Sequence, residues 1–346
     1  MAKQLPCVGV IMGGVSPEHD VSLHSGSVML QNLDATRYRG FPLIISKQNT
    51  WLWPDTYLDW EHTPFSFEML QDIIVNPPKD WHQANFPDFN KFPHCDIFLL
   101  ALHGVGGEDG LLQGFFDLCG QRYTGSGCLG SALAMDKIMT KKMYQQWDIP
   151  TPPFAVFNKE TLLIKQLEQV IAKFGFPLVI KDPLGGSSLG VEVASSKEDC
   201  LNTCETMLTS CKEILLEKFI QGKEGTCGYI QNFKELPPTE IIPLHDGFFN
   251  YEAKYLANRT KELTPGNFTT TQVAQMQELA QKCHTVLKLS IYSRTDFLIQ
   301  DNDIFVLETN SLPGFTATSL LPQQARAVGL DYSALLSKII DESLQK

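Results

Sequence analysis

The chain has 346 residues, of which 43% are hydrophobic and 19% charged, so it is long enough and apolar enough to form two or three folded domains. Its formal net charge of −11 repels polyphosphate backbones at long range, which excludes nucleic acid as an expected partner. Any bound phosphate must therefore be held by local lysines and backbone N–H groups.

The cysteines and the N-terminus favour a cytoplasmic protein. The chain has nine cysteines, an odd count, and no Cys-x-x-Cys pair, which is typical of reduced, buried thiols. The apolar stretch from Leu5 to Met12 is cut off by Gly13 and Gly14 without a cleavage site, so it predicts a buried strand rather than a signal peptide. No window approaches the length of a membrane span, so we expect no membrane partner.

Short β-branched runs alternate with helical patterns, which predicts an α/β fold. The elements predicted in the first part of the chain are a strand at Val8–Met12, a helix at His19–Leu33, and strands at Phe41–Ile45 and Cys95–Leu102. The segment 46–94, which is rich in Trp and Pro, is expected to form an elaborated surface region over this first domain.

A domain break is predicted near residues 123–130, followed by a second unit and, from about Lys223, a third. The elements predicted in the second and third units are helices at Ser131–Trp147, Thr161–Phe174, Leu201–Cys211 and Tyr332–Leu344, and strands at Phe154–Phe157, Leu178–Lys181, Val191–Ala194 and Ile214–Phe219.

Residues 294–310 carry the sharpest chemical signal. Two β-rich runs flank the turn residues 301–303, which predicts a hairpin. A turn centred on Asn302 would place Asp296 opposite Glu308, and Arg294 opposite Asn310, all on one face. Two carboxylates and an amide oxygen suit a hard cation such as magnesium. The alternative is a solvated hairpin face whose charges are merely exposed.

Three glycine-rich turns are further candidate sites. The loop Gly185–Gly190 lies between strands after Lys181, which predicts either a flap over phosphates or a plain hairpin turn. The turn Gly13–Ser16 opens a helix, and a structural role is favoured there because the first strand lacks the Gly-x-Gly-x-x-Gly dinucleotide pattern. His103 also follows a strand beside glycines, and either a functional or a capping role fits it.

Taken together, these segments resemble D-alanine–D-alanine ligases over nearly the whole chain except residues 46–94. The motifs that appear in the family's order are GGVSPEHDVSL, HGVGGEDGLLQG, YTGSG, SALAMDK, GGSSLGV, EKFI, YEAKY, RTDF and LETNSLPG. The resemblance implies a three-domain ATP-grasp architecture, with a parallel-sheet N-terminal domain and with ATP between the central and C-terminal domains. The implied domains are 1–127 with an insertion at about 46–94, 128–223, and 224–346.

The resemblance also implies which residues bind ATP and metal. The implied ATP-binding residues are Lys137, Lys181, Ser187, Ser188, Glu217, Lys218, Phe219, Ile220, Glu224 and Lys254. The implied ligands of two Mg²⁺ or Mn²⁺ ions are Asp296, Glu308 and Asn310, in agreement with the hairpin.

The resemblance further implies an acyl-phosphate intermediate and a set of substrate and catalytic residues. The implied catalytic residues are Glu18, Ser187, Tyr255, Arg294 and Gly314, and the implied D-alanine-binding residues are Glu18, His103, Ser319 and Leu320. The segment Tyr251–Thr264 is the expected lid over the reaction. The resemblance leaves room for a homodimer.

Two features leave alternatives open. Asp182 follows Lys181 where the family usually has proline, and an acid there would weaken ATP binding unless it is paired. A related ATP-grasp ligase that uses D-serine or D-lactate as second substrate is the main alternative activity. In the family, ligases that make D-alanyl-D-lactate place a histidine at the lid tyrosine, so Tyr255 favours D-alanine. A regulatory nucleotide-binding protein without turnover is disfavoured by the intact 294–310 hairpin.

Overall fold

The computed structural model describes residues 5–57, 65–89, 91–186, 190–243 and 260–346, and it has an α/β fold built on three sheets, as the sequence predicts. The helices of these described ranges are α1 (His19–Gln31), α2 (Phe67–Val75), α3 (Leu111–Leu118), α4 (Cys128–Met135), α5 (Lys137–Gln146), α6 (Ile164–Phe174), α7 (Lys197–Met207), α8 (Thr270–Val286), α9 (Leu320–Ala327) and α10 (Tyr332–Leu344). The strands are β1 (Cys7–Gly13), β2 (Arg39–Ile45), β3 (Trp51–Pro54), β4 (Trp81–Ala84), β5 (Ile97–Leu100), β6 (Phe154–Asn158), β7 (Leu178–Lys181), β8 (Val191–Ala194), β9 (Glu213–Lys218), β10 (Lys223–Ile230), β11 (Thr239–Pro243), β12 (Thr260–Leu263), β13 (Tyr292–Gln300) and β14 (Asp303–Asn310).

The N-terminal sheet has the strand order β4-β3-β2-β1-β5. Strand β1 runs parallel to both β2 and β5 and is buried along its whole length, which explains its continuous apolar sequence. Parallel strands carry their loops at one carboxyl edge, where ligands usually bind. The turn after β1 and the loop after β5 therefore lie at this edge.

Several described residues of the segment 46–94 belong to the apolar core around the N-terminal sheet, so the expectation of a surface region was wrong for them. Strands β3 and β4 extend the N-terminal sheet in antiparallel pairing. Trp53 is fully buried, and its ring lies 4.7 Å from that of Phe92. Trp51, Phe65 and Leu70 are also buried. Burial depends on partners distant in sequence, which the local Trp and Pro content does not reveal.

The other two sheets are antiparallel. The central sheet has the order β6-β9-β7-β8, and the C-terminal sheet has the order β12-β11-β10-β13-β14. The central sheet packs a separate apolar core against α6 and α7. Helix α8 packs on the C-terminal sheet, and Tyr144 of α5 and Ile149 join that core.

The last helix completes the core of the first domain. Leu335, Leu336 and Ile339 of α10 belong to the same apolar cluster as Val8 and Phe41 of the N-terminal sheet. At the edge of this contact, Asp341 accepts a hydrogen bond from the Tyr38 hydroxyl at 2.7 Å. The two ends of the chain therefore share one buried cluster.

One predicted helix is divided in two. Asp136 adopts an extended conformation between α4 and α5, and its Oδ1 atom accepts hydrogen bonds from the backbone N–H groups of Ile138 and Met139. This N-cap starts a new helix at Lys137. The predicted helix at 201–211 instead spans Lys197–Met207, because Ser196 caps its first turn.

None of the helices in the described ranges combines the length and the apolar character needed to cross a membrane.

Candidate active site

The hairpin β13–β14 pairs Arg294 with Asn310, and Asp296 with Glu308, which confirms the predicted register at the polar face. Nearer the tip the register differs from the prediction, because Gln300 pairs with Asp303 around a two-residue turn. A β-bulge after Asp296 restores the predicted pairing. The bulge thus aims the four polar side chains at one cavity.

Opposite charges compensate the two facing carboxylates. Arg294 donates to both oxygens of Asp296, from Nε and from Nη2, at 3.0 Å each. Asp296 also accepts from the Thr226 hydroxyl at 2.6 Å and from the Asn310 amide at 3.1 Å. The Nζ atom of Lys137 lies 3.1 Å from Glu308. These cations offset the repulsion that the sequence anticipated between the two acids.

The donor set at this face fits magnesium. Two carboxylates and an amide provide hard oxygen ligands beside a wide cavity. In the part of the chain that the structure describes, no three His, Cys, Asp or Glu side chains converge on one point as a closed metal cage. A magnesium ion held here would therefore complete its coordination with phosphate oxygens and water, as magnesium commonly does.

Lys137 connects the hairpin to the glycine-rich loop. Besides its contact with Glu308, its Nζ donates to the Gly185 carbonyl at 2.6 Å. The side chain of Asp182 accepts the Leu184 backbone N–H at 3.0 Å. The acid that departs from the family pattern is therefore paired within the loop. Ser187 and Ser188 lie outside the described residues.

Lys181 and Glu217 belong to a buried cluster that does not line the cavity. Glu217 is 2% exposed, and its carboxylate lies 2.6 Å from Lys181 Nζ and 2.5 Å from Lys141 Nζ. Burial alone would raise the pKa of Glu217, but the two lysines outweigh it and hold the pKa below its usual value. Burial lowers the pKa of Lys141. Sequence reasoning missed Lys141, since only the spacing of four residues from Lys137 on one helix could have indicated it.

The implied ATP-binding residues at the end of β9 do not line the cavity. Lys218 is exposed at the end of β9, Phe219 is half-buried, and Ile220 is buried. Glu224 on β10 lines the cavity, whereas Lys218, Phe219 and Ile220 do not. Lys254 and Tyr255 lie outside the described residues, as does most of the expected lid, whose residues Thr260–Leu263 form the edge strand β12.

The loops after β1 and β5 bring Glu18, His103 and Glu108 to the wall of the cavity. Glu108 accepts the Gly104 backbone N–H at 2.8 Å, and His103 Nε2 lies 3.2 Å from the Ser25 hydroxyl. Burial lowers the pKa of His103, which favours the neutral ring. Burial, with a contribution from Glu18, raises the pKa of Glu108 to about 8.

Glu108 was not singled out from the sequence, although it stands within the HGVGGEDG motif. Gly104, with φ +66, is needed beside it: a Cβ atom there would lie 2.6 Å from the Ser16 hydroxyl and 2.9 Å from Glu18 Oε2. The glycine thus allows the backbone to approach the Glu18 carboxylate closely.

Gly314, Ser319 and Leu320 also line the cavity. Ser319 precedes the first residue of α9, and its hydroxyl accepts the Thr316 backbone N–H at 2.9 Å. The first N–H groups of a helix lack intrahelical partners, so they suit a carboxylate. The start of α9 therefore offers an anion site, and the Glu18 carboxylate suits a cation.

One cavity of about 670 Å³ collects most of the predicted residues. The predicted site residues that line it are Glu18, His103, Lys137, Glu224, Arg294, Asp296, Glu308, Asn310, Gly314, Ser319 and Leu320. The described ones that do not line it are Lys181, Glu217, Lys218, Phe219 and Ile220.

Comparison with known proteins identifies the family. Residues 7–126 match the family model for the D-ala D-ala ligase N-terminus, and residues 143–341 match that for the C-terminus. A D-alanine–D-alanine ligase from Syntrophobacter fumaroxidans is 35% identical over 348 residues, covering 100% of both chains.

Solved structures agree with the sequence matches. The D-alanine–D-alanine ligase of Bacillus anthracis, crystallised with ATP, superposes with a TM-score of 0.75 at 33% identity and 98% coverage of both chains. The VanG D-Ala:D-Ser ligase of Enterococcus faecalis superposes with a TM-score of 0.86 at 27% identity, covering 98% of this chain and 100% of that chain. The chain belongs to the D-alanine–D-alanine ligase family.

Proposed function

We propose that the protein uses ATP to join two D-alanines into D-alanyl-D-alanine through a D-alanyl phosphate, for peptidoglycan precursor synthesis in the cytoplasm. The observation that carries the proposal is one cavity lined by the Glu18 carboxylate, the N-terminus of α9 and the polar face of β13–β14. These three features match an ammonium, a carboxylate and a magnesium-bound polyphosphate.

In the first step, Glu18 holds the ammonium of the first D-alanine, with His103 nearby. The carboxylate of this D-alanine attacks the γ-phosphorus of ATP, and ADP leaves. Lys137, Lys181 and Lys254 hold the phosphates, while Glu217 to Ile220 and Glu224 hold the adenosine. Phosphoryl transfer depends chiefly on such positioning and electrostatic stabilisation.

Magnesium bound by Asp296, Glu308 and Asn310 would neutralise phosphate charge during this transfer. Arg294 is already paired with Asp296, so its guanidinium stands beside the proposed metal face. This arrangement lets Arg294 stabilise negative charge next to the ion.

In the second step, the amine of the second D-alanine attacks the acyl carbon and phosphate leaves. Ser319 and Leu320 hold the carboxylate of this second substrate at the start of α9. Arg294 and the Gly314 N–H stabilise the oxyanion of the tetrahedral intermediate. As the resemblance implies, we assign the closing of the site to Glu18, Ser187 and Tyr255, and the exclusion of water from the acyl phosphate to the segment Tyr251–Thr264.

The test is ADP release with ATP and magnesium across a panel of D-alanine, L-alanine, D-serine and D-lactate, with products identified by mass. We expect D-alanyl-D-alanine as the main product and no turnover with L-alanine alone. Turnover without any dipeptide or ester would refute the proposal.

The second candidate is a ligase whose second substrate is D-serine or D-lactate. The similarity to a D-Ala:D-Ser ligase supports it. Equal concentrations of D-alanine, D-serine and D-lactate at pH 7 separate the two candidates, because the second residue of the dominant product identifies the second substrate.

We also propose a homodimer. Leu111 and Leu118 of α3 and Leu129 of α4 are 70%, 90% and 64% exposed, an apolar surface suited to a second copy. Light scattering of the wild-type chain and of Leu118→Lys tests this: a dimeric mass for the first and a monomeric mass for the second are expected.

A further inference from the structure

The side chain of Lys141 is only 1% exposed. Its Nζ atom lies 2.5 Å from Glu217 Oε1 and donates to the Thr151 hydroxyl at 2.6 Å. Thr151 in turn donates to the Val306 carbonyl at 2.8 Å. The ammonium therefore stands in the middle of a buried polar chain.

This chain of contacts connects two sheets. Val306 lies on β14, two residues before the proposed metal ligand Glu308. Glu217 lies on β9 of the central sheet, beside β7 with Lys181. The central and C-terminal sheets have separate apolar cores, so Lys141 is a polar connection between two bodies that would hold ATP between them.

The cluster of Lys141, Lys181 and Glu217 has two positive groups and one negative group. Glu217 is one carboxylate between two ammonium groups, those of Lys141 and Lys181. Without Lys141, the Glu217 carboxylate would be matched by Lys181 alone, and the pair would carry no net charge. With the Lys141 ammonium, the three groups carry a net positive charge. Lys181, at 13% exposed, is the most exposed of the three side chains.

A purely structural role does not account for this arrangement. Burying an ion pair costs several kcal/mol of desolvation per ion, so an apolar side chain of the same volume is often as stabilising or more so. A buried lysine is therefore better explained by what its charge does for its neighbours.

We propose that Lys141 is a positioning residue for the triphosphate of ATP. Lys141 shares the Glu217 carboxylate with Lys181, so that Lys181 keeps part of its positive charge for the phosphates. Its contact with Thr151 also fixes this cluster relative to β14. The inference rests on the proposed function, in which Lys181 contacts ATP.

The test compares the affinities of nucleotides with different phosphate charge. Dissociation constants for ATP and AMP, each with magnesium and without D-alanine, are measured by calorimetry for the wild-type chain and Lys141→Met. Because the lost charge acts on the phosphates, we expect about a tenfold weaker affinity for ATP and little change for AMP. A loss of packing alone would weaken both nucleotides equally.

Lys142→Met is the matched control, since it removes the same charge from the next, exposed position of α5. Its affinities for both nucleotides should equal those of the wild-type chain. Thr151→Val keeps the Lys141 charge but removes its hydroxyl partner, and we expect about a threefold loss for ATP. This variant decides the question if Lys141→Met does not fold.

Equal losses for ATP and AMP in Lys141→Met, or unchanged ATP affinity in the folded variants, would overturn the inference alone. A wild-type chain that does not bind ATP would overturn the proposed function as well.

Discussion

Arg294 lies side-on against Asp296 on the same face of β13, with two nitrogen–oxygen distances of 3.0 Å. Side-on pairing uses both carboxylate oxygens and fixes the plane of the guanidinium. Asp296 is 7% exposed, so protein partners replace most of the water around its carboxylate. The pair thus links the proposed oxyanion stabiliser to the proposed metal face.

Removing one carboxylate from the hairpin face should abolish turnover while preserving the fold. Asp296→Asn and Glu308→Gln each keep the side-chain shape but lose a charged oxygen ligand for magnesium. We expect ADP release to fall by orders of magnitude, because the phosphate charge is no longer neutralised. Steady-state assays over a range of magnesium concentrations, with circular dichroism of each variant, measure this.

Asp303→Asn is the control for these two variants. Asp303 is exposed at the start of β14, away from the cavity lining. Its activity should equal that of the wild-type chain. Near-normal activity of both cavity variants would disprove the metal assignment.

Gly104→Ala should impair binding of the first D-alanine. A Cβ atom at this position would lie 2.9 Å from Glu18 Oε2, so the carboxylate that we assign to the ammonium must move. Gly106→Ala is a matched control: Gly106 also has positive φ, but the nearest atom to its Cβ is 4.0 Å away. Both variants should lose about 1–2 kcal/mol of stability from backbone strain.

Only Gly104→Ala should raise the KM for D-alanine in steady-state assays. An equal rise in both variants would mean that loop strain, rather than displacement of Glu18, is responsible.

The raised pKa of Glu108 should make stability depend on pH. Its folded-state pKa of about 8 exceeds the ordinary value of 4.5. The contribution of Glu108 to the free energy of unfolding is therefore fully present below about pH 4.5 and is lost as the pH rises through about 8. Glu108→Gln keeps a neutral side chain at every pH. Relative to this variant, the free energy of unfolding of the wild-type chain should fall by on the order of a few kcal/mol between about pH 5 and pH 8.

Denaturation midpoints of both proteins, measured at each pH, give this difference. His103 has a lowered pKa, which contributes a pH dependence of the opposite sign, but it is present in both proteins. A difference that does not change with pH would show that Glu108 is ionised throughout.

Trp53→Ala tests whether the segment 46–94 belongs to the core. Trp53 is 1% exposed and donates a hydrogen bond to the Lys91 carbonyl at 3.2 Å. We expect a loss of about 3–5 kcal/mol in the free energy of unfolding. Trp147→Ala is the control, because Trp147 is 54% exposed and should cost much less. Equal, small losses would restore the view of this segment as a surface region.

The sequence predicted the parts of the structure that depend on local pattern. Strands β7 and β8 and helix α10 have the predicted boundaries, and the polar face of β13–β14 has the predicted partners. The pairing at the hairpin tip was not predictable, because it depends on the positive φ of Asp301 and on a bulge that leaves no local signature.

Burial was the main quantity that the sequence could not provide. Lysine is usually a surface residue, yet Lys141 is buried against Thr151 and against Glu217, which is distant in sequence. The pKa of Glu108 is raised because the loop buries its carboxyl group beside Glu18. Both residues lie next to motifs that the sequence did single out, so proximity in the chain was informative where periodicity was not.

The sharing of one apolar cluster by β1 and α10 has a consequence for how the chain matures on the ribosome. Val8 emerges from the ribosome long before Leu335 and Ile339, which belong to the same cluster. The N-terminal sheet therefore leaves the ribosome with part of its apolar surface uncovered until α10 has been synthesised. Exposed surface of this kind favours aggregation, so nascent chains that stall before α10 should depend on chaperones far more than the finished protein does.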